Sequence, residues 1–275
     1  MGIYTGYCEK TPNEDELSYF YSHLNENVYE CLTNEYVILH LPDGVSEDFY
    51  RWNGNEYKPL VFNPLKSKAL GVVKPRNLQQ KLAFDLLQNE KITVKALTGC
   101  FGSGKTMLMI ATALQDIEAK KFEKIVWVRN NIDVKNTKPI GALPDGLYNK
   151  LLPFALPIAD HLGGIDGLDT MVRQGLIEIQ HLGFMRGRDI RNAIIMSSEA
   201  ENLTREHAQL LIGRVGEGSQ LWLDGDLRQT DMQVFDDDNG LKATLEKLKG
   251  NPLFGCVNMP KSERSTTAAL ADLLD

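Results

Sequence analysis

The sequence predicts an α/β fold in which a mostly parallel sheet is sandwiched by helices. The chain has 275 residues, of which 43% are hydrophobic and 24% charged, so it is long and apolar enough for one large domain with a small annex. Beyond residue 75, short apolar runs alternate with amphipathic stretches, which is typical of βαβ units. A glycine-rich loop joins one of these runs directly to a helical stretch.

Residues 1–70 are predicted to form a small acidic α+β module. Residues 13–31 have the apolar spacing of a helix, and residues 36–41 have the pattern of a strand. Residues 49–62 contain an Asn-Gly pair between two β-prone runs, which predicts a hairpin. The module carries 11 acidic and 5 basic side chains, whereas the remainder carries 26 and 25. Its charge therefore does not favour contact with nucleic acid.

Residues 71–275 are predicted to be a second domain, reached through a proline-bracketed joint at 63–75. Its apolar runs, in chain order, are KITVKAL, KIVWV, LIEI, AIIM, QLWL and FGCVNM. In parallel sheets, ligands bind outside the carboxyl ends of the strands. We therefore expect functional residues directly after these runs.

The strongest motif is GCFGSGKT, which fits the P-loop pattern between a strand and a helix. Its glycines allow backbone N–H groups to converge on a phosphate, and the helix N-terminus adds partial positive charge. A plain glycine-rich turn would need neither the lysine nor the hydroxyl. The candidate nucleotide-binding residues are Gly99, Cys100, Phe101, Gly102, Ser103, Gly104, Lys105 and Thr106, with Lys105 directed at the β and γ phosphates and Thr106 at Mg²⁺.

Polar residues follow two other apolar runs. Ser198 and Glu199 come after AIIM, where a P-loop enzyme usually carries an acidic pair that serves Mg²⁺ and the attacking water. Because Ser198 lacks a carboxylate, we expect a weaker hold on Mg²⁺, unless Asp224 or Asp226 after QLWL supplies one. Gln229 in the same loop could sense a γ-phosphate. An ordinary solvated strand end is the alternative at both places.

Two further groups are less specific. Gln80 begins a predicted helix and could meet the edge of an adenine, although a glutamine there usually faces solvent. The arginines could serve nucleotide phosphates or a nucleic-acid backbone, or be surface ion-pair partners. They are Arg129, Arg186, Arg188, Arg191, Arg214 and Arg264.

No apolar run is long enough to cross a bilayer, and the N-terminus lacks the features of a signal peptide. We therefore expect a cytoplasmic protein that does not contact membranes.

Residues 72 to about 268 resemble the PhoH-like ATPases. The resemblance rests on KPRNLQQKLAFDLL, GCFGSGKT, IGALPDGLYNK, GFMRGRDIRNAII, SSEAENLT, GRVGEGSQLWLDGDLRQTD and SERS, which occur in the family's order. It implies a RecA-like core that uses ATP and Mg²⁺, acts on single-stranded nucleic acid and assembles as a ring, expected to be a hexamer. The family reads Asp-Glu-Ala-Gln-Asn where this chain has SEAEN.

Carried over by position, the resemblance implies the following roles. Gln80 becomes the adenine reader, and Lys105 and Thr106 become the phosphate and Mg²⁺ residues. Glu199 becomes the catalytic carboxylate, with Ser198 beside it at the metal, and Gln229 becomes the γ-phosphate glutamine. Arg264 or Arg214 becomes a finger across a subunit boundary.

Larger relatives fuse a PIN-type ribonuclease to the ATPase, but residues 1–70 are too few for that nuclease and resemble the β module that joins the two parts. No nuclease activity is expected. The sequence instead predicts an ATPase that translocates on or unwinds a nucleic acid, with RNA favoured over DNA. A slow or inactive nucleotide-binding switch is the alternative, and a metabolite kinase fits the Gly-Asp and Gln229 pattern less well.

Overall fold

The computed structural model describes residues 2–60, 63–129 and 147–263. The strands are β1 (Tyr7–Lys10), β2 (Tyr36–His40), β3 (Glu47–Trp52), β4 (Tyr57–Pro59), β5 (Leu65–Ser67), β6 (Gly71–Val73), β7 (Val94–Gly99), β8 (Lys124–Arg129), β9 (Ile177–His181), β10 (Ala193–Ser197), β11 (Gln220–Gly225) and β12 (Phe254–Met259). The helices are α1 (Glu14–Ser22), α2 (Leu78–Gln88), α3 (Lys105–Glu118), α4 (Leu147–Ala159), α5 (Ile165–Arg173), α6 (Arg205–Ile212), α7 (Gln233–Asp237) and α8 (Gly240–Leu248).

The main sheet contains β7 to β12, in the order β12-β7-β11-β10-β8-β9, and its described pairings are all parallel. Each of these strands coincides with one of the six predicted apolar runs. Their side chains are largely buried because helices cover both faces, with separate apolar clusters on the two sides of the sheet. The predicted α/β fold, with a sheet consistent with a RecA-like P-loop core, is confirmed.

The first part of the chain forms a second sheet of order β1-β2-β3-β4 with α1 against it. The predicted hairpin is present, since β3 and β4 pair antiparallel around the Asn-Gly turn. The predicted helix is shorter than residues 13–31, because α1 ends at Ser22. Beyond it, the carbonyl of Leu24 accepts the N–H of Tyr57 at 2.7 Å, so this segment bonds to β4 instead of continuing the helix.

The two parts of the chain share a core. Tyr36 and Ile38 of β2 belong to the same apolar cluster as α2. Asp85 of α2 accepts hydrogen bonds from Tyr36 Oη at 2.8 Å and from Arg51 Nε at 3.2 Å. Asn34 Nδ2 donates to the carbonyl of Phe254 at 2.9 Å. The division of the chain at residue 70 therefore stays a prediction about folding units, since packing is continuous across it.

The predicted joint contains a small hairpin of β5 and β6. It is docked on α3, where Gln115 Oε1 accepts the N–H of Lys66 at 2.7 Å and Glu118 Oε1 accepts that of Lys68 at 2.8 Å. Within the three described ranges, no helix combines the length and apolar character that crossing a bilayer requires.

Candidate nucleotide-binding site

The predicted P-loop connects β7 to α3 at the carboxyl edge of the main sheet. Gly99, Gly102 and Gly104 have φ values of 120°, 75° and 91°, which L-residues rarely adopt. A Cβ on Gly99 would lie 2.2 Å from the carbonyl oxygen of Met259, so a side chain there is excluded by β12. The glycines therefore allow the tight loop that places the N-terminus of α3 at the predicted phosphate position.

Two side chains hold this loop. Lys105 Nζ donates to the carbonyls of Gly99 and Cys100, each at 2.8 Å, so its ammonium group spans the turn. Ser103 is fully buried, and its carbonyl accepts Gln80 Nε2 at 3.0 Å. Hydrogen bonds from Lys105, at the end of the loop, and from Gln80, on α2, therefore stabilise the loop conformation.

Gln80 is placed at the loop, as its motif suggests, but its amide is engaged by the chain itself. It is 4% exposed, and its Oε1 accepts the N–H of Arg76 at 2.8 Å while Nε2 bonds Ser103. Reading an adenine would require one of these two bonds to change. The adenine role stays a prediction, and the observed role is to position the P-loop.

Thr106 meets a carboxylate from a neighbouring strand. Its Oγ1 donates to Oδ2 of Asp224, near the end of β11, and the N–H of Glu199 donates to Asp224 Oδ1 at 3.1 Å. Asp224 is only 2% exposed, and Ser198 is 6% exposed. The sequence identified Asp224 as one of three polar residues at this edge. Its contact with Thr106, across 118 positions of the chain, depends on β11 lying beside β7.

Glu199 follows β10 at the same edge, as predicted. Its φ of 54° is a left-handed conformation that non-glycine residues seldom adopt, and such conformations often occur at functional sites. Its Oε2 contacts Nη2 of Arg129, which ends β8, and its side chain remains 40% exposed. The carboxylate is thus held by an arginine while staying accessible to a ligand.

Beside the loop after β11 lies the buried carboxyl of Glu201, a residue after β10 that the sequence did not single out. Glu201 Oε2 accepts the N–H of Asp226 at 3.1 Å, and a Cβ on Gly225 would lie 2.5 Å from that oxygen. Burial, more than the nearby Asp224, raises the pKa of Glu201 to about 8. Asp226 itself accepts from Arg228 Nε at 3.2 Å. Gln229 lies exposed on this loop, and its γ-phosphate role stays a prediction.

We expect Glu201→Gln to flatten the pH dependence of stability. A raised folded-state pKa means that the stabilisation is fully present below pH 4.5, the ordinary value, and is lost as pH rises through about 8. The slope in that window is at most about 1.4 kcal/mol per pH unit. Urea unfolding from pH 5 to 9 should show a smaller fall for the variant than for the wild type. Equal slopes would contradict this assignment, and exposed Glu206→Gln serves as the control.

The two finger candidates have different positions. Arg214 lies near the starts of β10 and β11, at the sheet edge opposite the P-loop, and its Nη1 donates to the carbonyl of Arg188 at 3.1 Å. Arg264 lies outside the described residues, as do residues 130–146 with most of the IGALPDGLYNK motif. The finger role of either arginine stays a prediction.

The comparisons with known proteins agree with this geometry. Residues 72–270 match the family described as PhoH-like protein. The chain is 38% identical over 233 residues to Protein PhoH2 of Bacillus subtilis, which covers 80% of this chain and 51% of that protein. It is 32% identical over 198 residues to Protein PhoH2 of Mycolicibacterium smegmatis, covering 71% and 45%. The chain spans about half the length of these curated relatives.

The matched span includes the P-loop, the strand ends around Glu199 and Asp224, and the loop that carries Gln229. The candidate nucleotide-binding residues therefore lie within the part of the chain that matches the family. This chain is a P-loop NTPase-like protein and belongs to the PhoH-like protein family.

Proposed function

We propose that this chain hydrolyses ATP with Mg²⁺ and couples hydrolysis to translocation on, or unwinding of, a single-stranded nucleic acid, RNA in preference to DNA. The observation that carries the proposal is the P-loop with Lys105 and Thr106 beside two carboxylates, Asp224 and Glu199. A glycine-rich turn with a purely structural role does not need this combination of ammonium, hydroxyl and carboxylate groups.

The donor set at this edge fits Mg²⁺, which prefers oxygen ligands. Thr106 Oγ1 and the carboxylate of Asp224 are in direct contact, with Glu199 adjacent. Bound Mg²⁺ would neutralise charge on the phosphate groups. Lys105 would exchange its two carbonyl partners for phosphate oxygens, and Glu199 would accept the proton of the attacking water.

One surface favours nucleic acid as the partner. Phe184 follows β9 at the same edge of the sheet, is 56% exposed, and lies edge-on to His181 with ring centroids 5.6 Å apart. Arg186 is exposed two residues later. Exposed aromatic rings beside an arginine can stack bases and meet backbone phosphates. Arg188 and Arg191 contribute less, because they form ion pairs with Glu178 and Asp189.

Lys105→Ala should weaken ATP binding by about one to two decades. The substitution removes a charge-assisted contact worth roughly 1.5 to 3 kcal/mol. Isothermal titration calorimetry with ATP measures the effect, and Lys247→Ala, on the exposed side of α8, is the matched loss of one lysine. ATP binding as tight as that of the parent would refute the assignment.

The same titration with GTP tests Gln80, whose adenine role predicts tighter binding of ATP than of GTP.

The second candidate is a nucleotide-binding switch that hydrolyses slowly or not at all. Two observations favour it: Ser198 stands where the family carries its first acidic residue, and Arg129 contacts the carboxylate of Glu199. Steady-state ATPase rates with and without single-stranded RNA and DNA separate the two functions. Stimulation by RNA supports the motor, whereas nucleotide binding with no stimulated turnover supports the switch.

A further inference from the structure

We propose that Asp224 supplies the carboxylate that holds the divalent cation, because Ser198 stands where the family carries an acidic residue. This inference rests on the proposed ATPase function and concerns the same site. The metal-binding carboxylate would then come from β11, the strand beside β10, which Glu199 follows.

The strand register explains why such an exchange is possible. Ser197, the last residue of β10, pairs with Leu223 of β11, so Ser198, directly beyond that strand end, lies about level with Asp224. Neighbouring strands lie about 4.8 Å apart. Residues that are level in neighbouring strands also point to the same face of the sheet. A carboxylate at position 224 therefore reaches nearly the same space as one at position 198.

The contacts of Asp224 are those expected of a residue that organises a metal site. One carboxylate oxygen meets Thr106 Oγ1, the predicted metal ligand of the P-loop. The other accepts the N–H of Glu199, the predicted catalytic residue, at 3.1 Å. With 2% exposure, the carboxylate has little freedom to turn away. It thereby links the P-loop to the backbone that carries Glu199.

The other acidic residues at this edge are less suited to the role. Asp226 uses both oxygens on Arg228, with Nε at 3.2 Å from Oδ1 and Nη2 at 3.3 Å from Oδ2. Glu201 lies beneath the turn and accepts the N–H of Asp226. Asp224, in contrast, directly contacts Thr106.

The test uses Mn²⁺ as the probe, with its binding to the full chain measured by electron paramagnetic resonance in the presence of a non-hydrolysable ATP analogue. Asp224→Asn should weaken Mn²⁺ binding at least tenfold. Adding Ser198→Asp to that variant should restore most of the affinity, because the carboxylate returns on the neighbouring strand. The control is Asp237→Asn, which removes the same charge at an exposed position and should leave Mn²⁺ binding unchanged. Unaltered Mn²⁺ affinity in a folded Asp224→Asn protein would overturn the proposal.

Ser198→Asp alone provides a second measurement that does not depend on the folding of Asp224→Asn. If Asp224 already supplies the carboxylate, this variant should change Mn²⁺ affinity by less than about threefold. A tenfold gain would show that the parent site lacks a carboxylate, and would overturn the proposal. If the parent hydrolyses ATP and either contrary Mn²⁺ result is found, the role of Asp224 is refuted while the proposed ATPase function stands. Failure of the parent to bind the analogue would instead refute the nucleotide site and this inference together.

Discussion

Replacing Glu199 by glutamine is expected to lower ATP turnover by about 10² or more while ATP affinity stays close to that of the parent. The amide has nearly the same shape as the carboxylate but cannot accept a proton from the attacking water. Glu199 is placed for this role, since it follows β10 beside Asp224 and its side chain is 40% exposed. Steady-state phosphate release and equilibrium ATP binding measure the two quantities separately.

Arg129 provides the control for this prediction. Glu199→Gln also removes the ion pair with Arg129, so a loss of turnover could come from misplacement of the side chain. Arg129→Ala removes the same pair and keeps the carboxylate. If Glu199 takes the proton, Glu199→Gln should be much slower than Arg129→Ala. Equal losses of turnover in the two variants would show that Glu199 acts only through its ion pair with Arg129. Unchanged turnover in Glu199→Gln would exclude Glu199 from catalysis.

The largest expected effect concerns assembly: an arginine supplied by a neighbouring subunit should raise turnover by about 10³ or more. Two arginines at the P-loop edge already contact carboxylates, Arg129 with Glu199 and Arg228 with Asp226. We expect a further positive charge for the γ-phosphate to come from another copy, with Arg264 as the first candidate. A head-to-tail contact of this kind closes into a ring if the rotation between subunits permits.

Mixing two inactive variants tests this arrangement. Lys105→Ala subunits lack a working site, and Arg264→Ala subunits have a site without a finger. Random mixing in a ring should complete about one quarter of the sites, so activity should return well above that of either variant alone. A mixture of Lys105→Ala with the Lys105→Ala/Arg264→Ala double variant should stay inactive. Full activity of a monomer at nanomolar concentration, verified by light scattering, would contradict the ring mechanism.

Much of the fold could be predicted because its signals are local. Each of the six apolar runs forms a strand of the main sheet. A strand that is buried on both faces is a continuous apolar run, so it can be recognised without knowing which strands lie beside it. The P-loop was equally local, because its glycines, Lys105 and Thr106 act within eight consecutive residues. The end of α1 was predicted less well, since the bond from Tyr57 to Leu24 comes from a strand more than thirty residues later.

The sequence by itself determined the chemistry that is available: the P-loop, the strand ends that carry Glu199 and Asp224, and the substitution of serine at position 198. The tertiary structure decided which groups meet. Asp224 lies against Thr106 because β11 is placed between β7 and β10, and Glu201 becomes buried because it packs beneath Gly225. The order of strands in a sheet arises from the packing of helices and connections over the whole domain. No local pattern encodes it, so these contacts are visible only in the folded chain.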